Sequence, residues 1–287
     1  MTESTTPVVL AGIDGSNISH AVADYAGWIA ARVDAPLKLL HNLERLETPM
    51  VADLTGSIGL GTRETLLEEL TEVESRRSKI MLEQGKLMLE EARKRATAFD
   101  VQHTILCQRH GGLPETLVDM EEDIRVLVLG VRGEAHDNQQ GLGNQLETVI
   151  RALHKPVLVV NRNFERPERI MLAYDDSEAA QKALNMLVTS PLYKGMTCHV
   201  VHVGKDDQPT EELLGRARQR LEQAGLDVRV AKLKGTPEEE LIGYQEQHGI
   251  QMIVMGSFGH SRLREMLLGS FTLKMLEKVK IPLLLLR

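Results

Sequence analysis

The spacing of hydrophobic positions changes repeatedly along the chain between one typical of strands and one typical of helices. Short apolar runs, typical of strands buried on both faces of a sheet, occur at 8–13, 36–41, 101–107, 125–130 and 156–161. Segments with helical periodicity lie between or beside them, at 17–33, roughly 62–98, 113–122 and 145–153. Because strands that alternate with helices build a parallel sheet covered on both faces, the pattern predicts a doubly wound α/β domain.

The same order of elements then recurs in the second half of the chain. Further strands are predicted at 169–174, 196–203, 226–232, 251–256 and 281–287, with helices near 177–189, 208–224, 236–248 and 270–279. LAGIDGS (10–16) matches MLAYDDS (171–177), and VLVLGVRG (126–133) matches MIVMGSFG (252–259). The fold class is therefore α/β, with two tandem five-stranded parallel-sheet (Rossmann-like, doubly wound) domains. We place them at 1–162 and 168–287, joined by a charged, proline-containing linker.

The two copies differ mainly between their second and third strands. The offset between matching residues falls from 161 at Asp14 and Asp175 to 123 at Gly112 and Gly235, so the first copy carries about 38 extra residues. This insert, near 45–98, contains the glycine-rich stretch VADLTGSIGLGT and then a long amphipathic helix. The apolar positions of that helix are Leu66, Leu70, Val73, Ile80, Leu87 and Met88. The insert either packs on the sheet or forms a lid over the ligand crevice of the first domain.

Composition and charge narrow the class of protein. Of the 287 residues, 42% are hydrophobic and 26% are charged, which is typical of a soluble globular protein. The net charge of −7 and the lack of a Lys/Arg-rich run argue against general nucleic-acid binding, but leave room for a small anionic ligand. Cys107 and Cys198 form no paired pattern, and neither a signal peptide nor a membrane-spanning run is found. We expect a cytoplasmic protein with reduced cysteines and no membrane span.

The stretch MGSFGHSRLREMLLGSF (255–271) carries the clearest candidate chemistry. It follows an apolar strand and precedes a helix, and Gly256, Gly259 and Gly269 allow close backbone approach and tight turns. We predict Ser270 as the N-cap of that helix, whose free N–H groups attract an anion. The spacing fits neither GxxxxGK[ST] nor GxGxxG. The glycines therefore either cradle a phosphate or merely shape a loop, and the position between strand and helix favours the cradle.

These residues resemble the signature of the universal stress protein family, in its tandem form. Gly256, Gly259, Gly269 and Ser270 match the family pattern G-x2-G-x9-G-[S/T]. A second family marker, an aspartate after the first strand followed two residues later by serine, occurs as Asp14-Gly15-Ser16 and as Asp175-Asp176-Ser177. The resemblance covers nearly the whole chain apart from the insert.

The resemblance implies an adenine-nucleotide site in the second domain. Asp175 would bind the adenine amino group, and Val203 at the end of the second strand would offer its backbone to the base. Gly259, Gly269 and Ser270 would hold the phosphates of ATP, AMP or ADP, with Mg²⁺ as an optional companion, and Gly256 ends the fourth strand. The alternative role for Asp175 is to cap the helix expected at 177–189, where Asp176 and Ser177 compete with it.

The glycine loop of the first domain keeps the spacing but not the chemistry. Gly130, Gly133 and Gly143 are retained, whereas Asn144 replaces the serine. Asn144 and Glu147 form a capping-box pattern, in which a carboxylate occupies the helix N-terminus and would compete with a phosphate.

The presumed base pocket of the first domain also differs. Asn42 stands where the second domain has Val203, although Asp14 is retained. We therefore expect the second site to be the better nucleotide binder and the first to be degenerate or repurposed.

Three functions follow from this reading, and they stay open at this point. The leading one is an ATP-binding stress-response sensor or adaptor with no catalytic residues and at most slow ATP hydrolysis. The others are a weak ATPase or related nucleotide-processing enzyme, and a scaffold that binds no nucleotide. The apolar last strands, PVLVVN and IPLLLLR, should pair as an intramolecular pseudo-dimer because apolar edge strands need covering. A homodimer and an unknown protein partner remain open.

Two other features are expected to be structural. Cys198, His199 and His202 cluster in sequence, but successive side chains of a strand point to opposite faces, so no metal site is expected there. Trp28, on a predicted helix, is expected in the core.

Overall fold

Ten strands form one continuous sheet in the computed structural model. The structure describes residues 6–43, 60–131, 144–205, 207–257 and 269–287, without the side chains of 60–68 and 144. The spatial order is β3-β2-β1-β4-β5-β10-β9-β6-β7-β8. The strands are β1 (Val8–Gly12), β2 (Leu37–Leu43), β3 (Thr104–His110), β4 (Ile124–Gly130), β5 (Val157–Val160), β6 (Arg169–Ala173), β7 (Thr197–Val203), β8 (Asp227–Leu233), β9 (Met252–Gly256) and β10 (Leu283–Leu286). The predicted fold class and all ten predicted strands are confirmed.

Helices alternate with these strands, as the sequence pattern predicts. They are α1 (Ser19–Val33), α2 (Leu60–Ala96), α3 (Leu113–Asp119), α4 (Asn144–Ala152), α5 (Glu178–Thr189), α6 (Gln208–Gln223), α7 (Pro237–His248) and α8 (Ser270–Lys278). The largest difference from the prediction is β3, which begins at Thr104 rather than at 101. A 3₁₀ turn at Thr97–Phe99 and a left-handed residue at Asp100 (φ 58°) end α2, so Val101 packs against the core without joining the sheet.

Each half of the sheet has two buried faces because the side chains of a strand alternate. In β1, Val9 and Ala11 face the helix layer of α1, α2, α5 and α6, whereas Val8 and Leu10 face that of α3, α4, α7 and α8. This explains why the strands read as near-continuous apolar runs in the sequence.

The two halves join through their last strands. β5 and β10 pair antiparallel, with Leu158 opposite Leu284 and Val159 opposite Leu283, whereas the other described strand pairs are parallel. All four side chains are buried. The amide of Asn161 adds bonds across the junction, because its Nδ2 donates to the carbonyls of residues 279 and 281 at 2.7 and 3.0 Å. The predicted pairing of the two last strands is therefore present within the chain.

The linker is anchored to the first half by an aromatic side chain. The ring of Phe164 lies 4.8 Å from that of Tyr25, 5.1 Å from that of Phe99 and 6.2 Å from that of Trp28, measured between centroids. Trp28 is buried, as expected. The charged character of the linker sequence gave no sign of this aromatic cluster.

The insert helix α2 has two unlike parts. Leu89, Ala92 and Ala96 are buried against α1 and the sheet, as the packing interpretation predicts. Residues 71–80, in contrast, are all exposed to solvent. The packing interpretation is therefore right for the C-terminal part of α2 and wrong for residues 71–80. The glycine-rich stretch at 51–59 lies outside the described residues, so the lid stays a prediction.

Candidate functional site

The turn after β6 presents a carboxylate at the edge of the sheet. Oδ1 of Asp175 accepts hydrogen bonds from the backbone N–H of Ser177 at 3.1 Å and from its hydroxyl at 2.6 Å. Oγ of Ser177 in turn accepts from the backbone N–H of Ala180, which makes Ser177 the N-cap of α5. The alternative in which Asp175 caps this helix is therefore wrong, and its exposed side chain lies at the carboxyl end of β6.

Asp176 holds the same turn in a left-handed backbone conformation. Its φ is 64°, and the matching residue of the first half, Gly15, has φ 82°. A left-handed conformation costs a residue other than glycine about 1 kcal/mol. Oδ1 of Asp176 accepts from the Tyr174 hydroxyl and from Nε2 of Gln181, each at 2.9 Å. Burial and the bond to Asp176 raise the pKa of Tyr174 to about 12, so the phenol stays a donor at neutral pH.

Gly256 brings the end of β9 against the start of α5. A Cβ atom at position 256 would lie 2.8 Å from the Cβ of Ala179 and 3.3 Å from the backbone nitrogen of Ala180. Only glycine permits this approach. The end of β9 therefore lies beside the helix that the Asp175 turn begins.

A buried serine and threonine hold the first turn of α8 next to the end of β9. The backbone N–H and the hydroxyl of Ser257 both donate to the carbonyl of Leu286, at 2.8 and 3.0 Å. The hydroxyl of Thr272 donates to the carbonyl of Ser257 at 2.8 Å. Gly259 falls in 258–268, outside the described residues.

The N-cap of α8 lies one residue earlier than predicted. Gly269 is the N-cap, with an extended backbone (φ −61°, ψ 142°), and its carbonyl accepts from the N–H of Leu273 at 3.1 Å. Ser270, predicted as the cap, is instead the first helical residue and is exposed. Among the described residues no side chain caps this helix, and the helix dipole favours negative charge at its N-terminus.

The corresponding carboxylate of the first half is more enclosed. Oδ1 of Asp14 accepts three hydrogen bonds, from the N–H and hydroxyl of Ser16 at 3.0 and 2.7 Å and from the hydroxyl of Ser19 at 2.7 Å. Both serines are buried, and Asp14 is half-buried where Asp175 is exposed.

The side chain of Asn42 also makes hydrogen bonds within its own domain. Its Nδ2 donates to the carbonyl of Gly111, and its Oδ1 accepts from the hydroxyl of Thr116 at 3.0 Å. The side chain that replaces Val203 in the first half thus bonds both to the connection between β3 and α3 and to α3 itself. Val203 is partly buried at the end of β7.

The structure tests the predicted capping box at the start of α4 only at Glu147, because the side chain of Asn144 lies outside the described residues. Asn144 is the first residue of the helix rather than its N-cap, and the carboxylate of Glu147 pairs with Arg151 one turn further on. A charged partner four residues along the helix competes successfully with the helix terminus for the carboxylate. Gly130 ends β4, whereas Gly133 and Gly143 lie outside the described residues.

The equivalence of two histidines, His41 and His202, was not recognised from the sequence. Nδ1 of His41 lies 2.7 Å from the carbonyl of Ile13, and Nδ1 of His202 lies 2.8 Å from that of Tyr174. The two are 161 residues apart, the same offset as Asp14 and Asp175, so the aligned copies did carry a signal. Helix α2 lies against the first of them: a Cβ at Gly85 would lie 2.4 Å from Cδ2 of His41.

The remaining candidate cluster is structural. His199 is buried on the side of α7, with Nδ1 2.9 Å from the hydroxyl of Tyr244, and Cys198 is buried on the opposite face of β7. Within the described ranges, no three His, Cys, Asp or Glu side chains converge as a metal site. No helix in the part of the chain that the structure describes is long and apolar enough to cross a membrane.

These features define a tandem doubly wound α/β protein in which each half carries an aspartate turn after its first strand. The sequence pattern of the universal stress protein family matches residues 6–161 and 167–287, and the chain belongs to this family. The resemblance noted in the sequence is thereby confirmed.

Three relatives show how far the likeness extends. The universal stress protein Slr1230 of Synechocystis sp. is 35% identical over 284 residues, covering 97% of this chain and 99% of its own length. A universal stress protein of Mycolicibacterium smegmatis is 24% identical over 306 residues, covering 100% and 99%. The crystal structure of a universal stress protein from Archaeoglobus fulgidus matches the fold with a TM-score of 0.73 at 20% identity, covering 98% of both chains.

Proposed function

We propose that this universal stress protein binds an adenine nucleotide in the crevice of its second half and acts as a stress-response sensor or adaptor. One observation carries the proposal. The close approach of Gly256 to Ala179 sets the end of β9 beside the helix that follows Asp175, and the Thr272–Ser257 bond draws in the first turn of α8. Open α/β sheets bind ligands at this edge, beyond the carboxyl ends of their strands.

The proposed roles of the residues follow from their chemistry. The exposed carboxylate of Asp175 accepts a hydrogen bond from the adenine amino group, and the backbone of Val203 borders the base. Gly259, Gly269 and Ser270 hold the phosphates with backbone N–H groups and a hydroxyl, and the dipole of α8 favours the negative charge. Mg²⁺ would accompany ATP by neutralising part of its phosphate charge.

Three contrasts support a weaker or different role for the crevice of the first half. The side chain of Asp14 is half-buried in its turn, whereas that of Asp175 is exposed. Asn42 is bonded to Gly111 and Thr116. The backbone of α2 at Gly85 lies against His41, a contact that comes from the insert in the first half. Each leaves less room or less free hydrogen-bonding capacity for a nucleotide in the first half.

Titration calorimetry of the full chain with ATP, ADP and AMP, with and without Mg²⁺, tests the proposal. Asp175→Asn keeps an oxygen acceptor for Ser177 but removes the charge that would bind the adenine amino group. We expect it to weaken binding about tenfold, since a hydrogen bond to a charged group contributes about 1.5–3 kcal/mol. The matched change in the first half, Asp14→Asn, should leave affinity within about twofold of wild type.

A second pair of variants tests the phosphate end of the site. Gly269→Val with Ser270→Ala should abolish binding while the far-ultraviolet circular dichroism stays that of the wild type. Unchanged affinity in this double variant, or a larger loss in Asp14→Asn than in Asp175→Asn, would exclude the site in the second half. A wild-type protein that binds none of the three nucleotides at millimolar concentration would exclude the proposal.

A further inference from the structure

A cavity of about 340 Å³ lies between the two halves of the chain, in the helix layer that contains α1 and α5. This volume is within the range of small-molecule sites, which are mostly apolar and carry a few polar groups. At about 30 Å³ for each water-sized group, the cavity has room for about eleven such groups, the size of a benzene ring with a short acid chain. Its buried apolar wall consists of Ile29, Val33, Val126, Leu192 and Leu286. We call this space the α1–α5 cavity.

The charged residues that line the α1–α5 cavity are all basic. They are Arg125, His154, Lys182 and Arg287, and among the described residues no Asp or Glu lines it. The chain as a whole has more acidic than basic residues, 41 Asp and Glu against 34 Lys and Arg, so the positive lining is a local feature. A positive lining beside an apolar wall favours an organic anion as the ligand.

Arg125 has hydrogen-bonding capacity to spare for such a ligand. Within the described part of the chain its half-buried side chain donates one hydrogen bond, from Nη1 to the last carbonyl of α1, and that bond is long at 3.4 Å. Lys182, in contrast, pairs with Glu178 at 2.9 Å. His154 lies 3.6 Å from Glu121. Because a guanidinium binds a carboxylate by two parallel hydrogen bonds, Arg125 is the group best suited to hold a carboxylate in this cavity.

The two halves of the chain are related by a pseudo-two-fold axis at the junction of β5 and β10. Leu158 and Leu284 hold the same place in PVLVV (156–160) and PLLLL (282–286), and they pair with each other across the junction. Rotation about this axis exchanges α1 with α5 and β4 with β9. Each part of the α1–α5 cavity therefore has an equivalent on the other side of the junction.

The linker between the halves fills that equivalent location. The offset of 161 residues that relates Asp14 to Asp175 also relates three cavity residues of α5 to α1 residues, which are Ala21, Tyr25 and Trp28. All three are buried, and Phe164 of the linker packs against the rings of Tyr25 and Trp28. In α5, Lys182 and Thr189 are exposed and Met186 is half-buried. The cavity therefore corresponds to a place that an aromatic side chain fills on the other side.

The position equivalent to Arg125 binds an acidic residue of the same linker. Gln251 stands directly before MIVMG (252–256), as Arg125 stands directly before VLVLG (126–130). Nε2 of Gln251 donates to the carboxylate of Glu165 at 2.6 Å. The linker thus brings an aromatic ring and, one residue later, a carboxylate to this location. In the α1–α5 cavity a charged arginine replaces the glutamine, which strengthens the preference for a carboxylate.

We propose that the α1–α5 cavity binds a small aromatic carboxylate, with the carboxylate on Arg125 and the ring between Met186 and the apolar wall. Phe164 and Glu165 supply the same combination of groups at the equivalent location. The cavity contains none of the residues proposed for the nucleotide site, so the two proposals are tested separately.

Titration calorimetry of the full chain with 3-phenylpropionate tests the ligand class. We expect a dissociation constant below about 1 mM for a ligand of this size. The matching amide keeps the ring but not the charge, and acetate keeps the charge but not the ring. Each should bind at least about tenfold more weakly than 3-phenylpropionate. A wild type that does not bind 3-phenylpropionate at about 10 mM, or that binds the amide or acetate equally well, overturns the proposal.

Two substitutions taken from the equivalent location test whether the ligand lies in the cavity. Arg125→Gln introduces the residue type found at position 251 and should weaken 3-phenylpropionate binding about tenfold, while binding of the amide stays within about twofold. Thr189→Trp introduces the ring found at position 28, fills the cavity and should abolish binding of both compounds. Arg166→Gln, which removes a positive charge from an exposed residue outside the cavity, should bind 3-phenylpropionate as the wild type does.

The two cavity variants also give the results that would overturn the proposal. Wild-type affinity for 3-phenylpropionate in Arg125→Gln, or in a folded Thr189→Trp, would place any binding outside the cavity. Circular dichroism shows whether each variant keeps its helix content. Arg125→Gln decides by itself if the larger side chain of Thr189→Trp prevents folding.

Discussion

Burial affects the protonation of one histidine in the second half, His199. His199 is 1% exposed and bonds to the hydroxyl of Tyr244 through Nδ1, and its buried Nε2 has no hydrogen-bond partner among the described residues. Burial, with smaller electrostatic contributions from His248, Arg229 and Arg169, lowers the pKa of His199 below 6.5, while Asp227 opposes the shift. The imidazole therefore stays neutral in the folded protein at pH values where it takes up a proton once the chain unfolds.

This pKa shift predicts an acid-sensitive contribution to stability. As the pH falls below 6.5, the unfolded chain gains a proton at His199 and the folded chain does not, so the free energy of unfolding decreases. The slope from this residue is at most about 1.4 kcal/mol per pH unit. In His199→Gln the slope between pH 6.5 and the lowered pKa should be smaller, as measured by urea unfolding across the pH range.

An exposed histidine provides the control for that measurement. His103→Gln, on the loop before β3, should keep the wild-type pH slope. Equal slopes in wild type and His199→Gln would show that this buried imidazole does not contribute to acid sensitivity.

At the scale of elements, the linker works as part of the first half's core. Phe164 packs edge-to-face against Phe99, which follows α2, and against Tyr25 of α1. The hydroxyl of Tyr25 lies 3.3 Å from both the backbone N–H and the carbonyl oxygen of Glu165. A connection that looks solvated in the sequence thus ties α1 and the end of α2 together.

Removing this anchor should destabilise the protein. Phe164→Ala is expected to lower the free energy of unfolding by about 2 kcal/mol, less than for a fully buried phenylalanine because the side chain is half-buried. A double-mutant cycle with Phe99→Ala should give a coupling of about 1 kcal/mol, the range of aromatic pairs. Arg166→Ala, an exposed change in the same linker, should stay within about 0.5 kcal/mol. A loss from Phe164→Ala as small as that control would mean that the linker is not anchored.

For the whole molecule, the junction of β5 with β10 turns two sheets into one. Separated halves would each expose an apolar edge strand, which favours association. We expect halves cut after Arg166, so that Phe164 stays with the first, to form a one-to-one complex when mixed, as measured by light scattering. Leu284→Lys in the second half should prevent the complex because it places a charge opposite the buried Leu158. Halves that remain separate would show that the junction depends on the covalent link.

The positions of elements were predictable, whereas the partners of side chains were less so. All ten strands lie within three residues of their predicted starts because burial on both faces leaves a local pattern in the sequence. Gly256 was singled out by its place between a strand and a helix, and Asp175 by the family resemblance. The caps were harder: Ser270 is helical, and Glu147 pairs with Arg151, since several nearby groups compete for each helix terminus.

The sequence by itself determined the repeated order of strands and helices, because hydrophobic periodicity and glycine positions act over a few residues. The tertiary structure decided what these segments meet. It decided that Gly256 lies against Ala179, that Phe164 enters an aromatic cluster and that Val73, Ile80 and Leu87 face solvent. Those outcomes depend on residues distant in sequence, and the free energy of a contact or an exposed face exists only once both surfaces are in place.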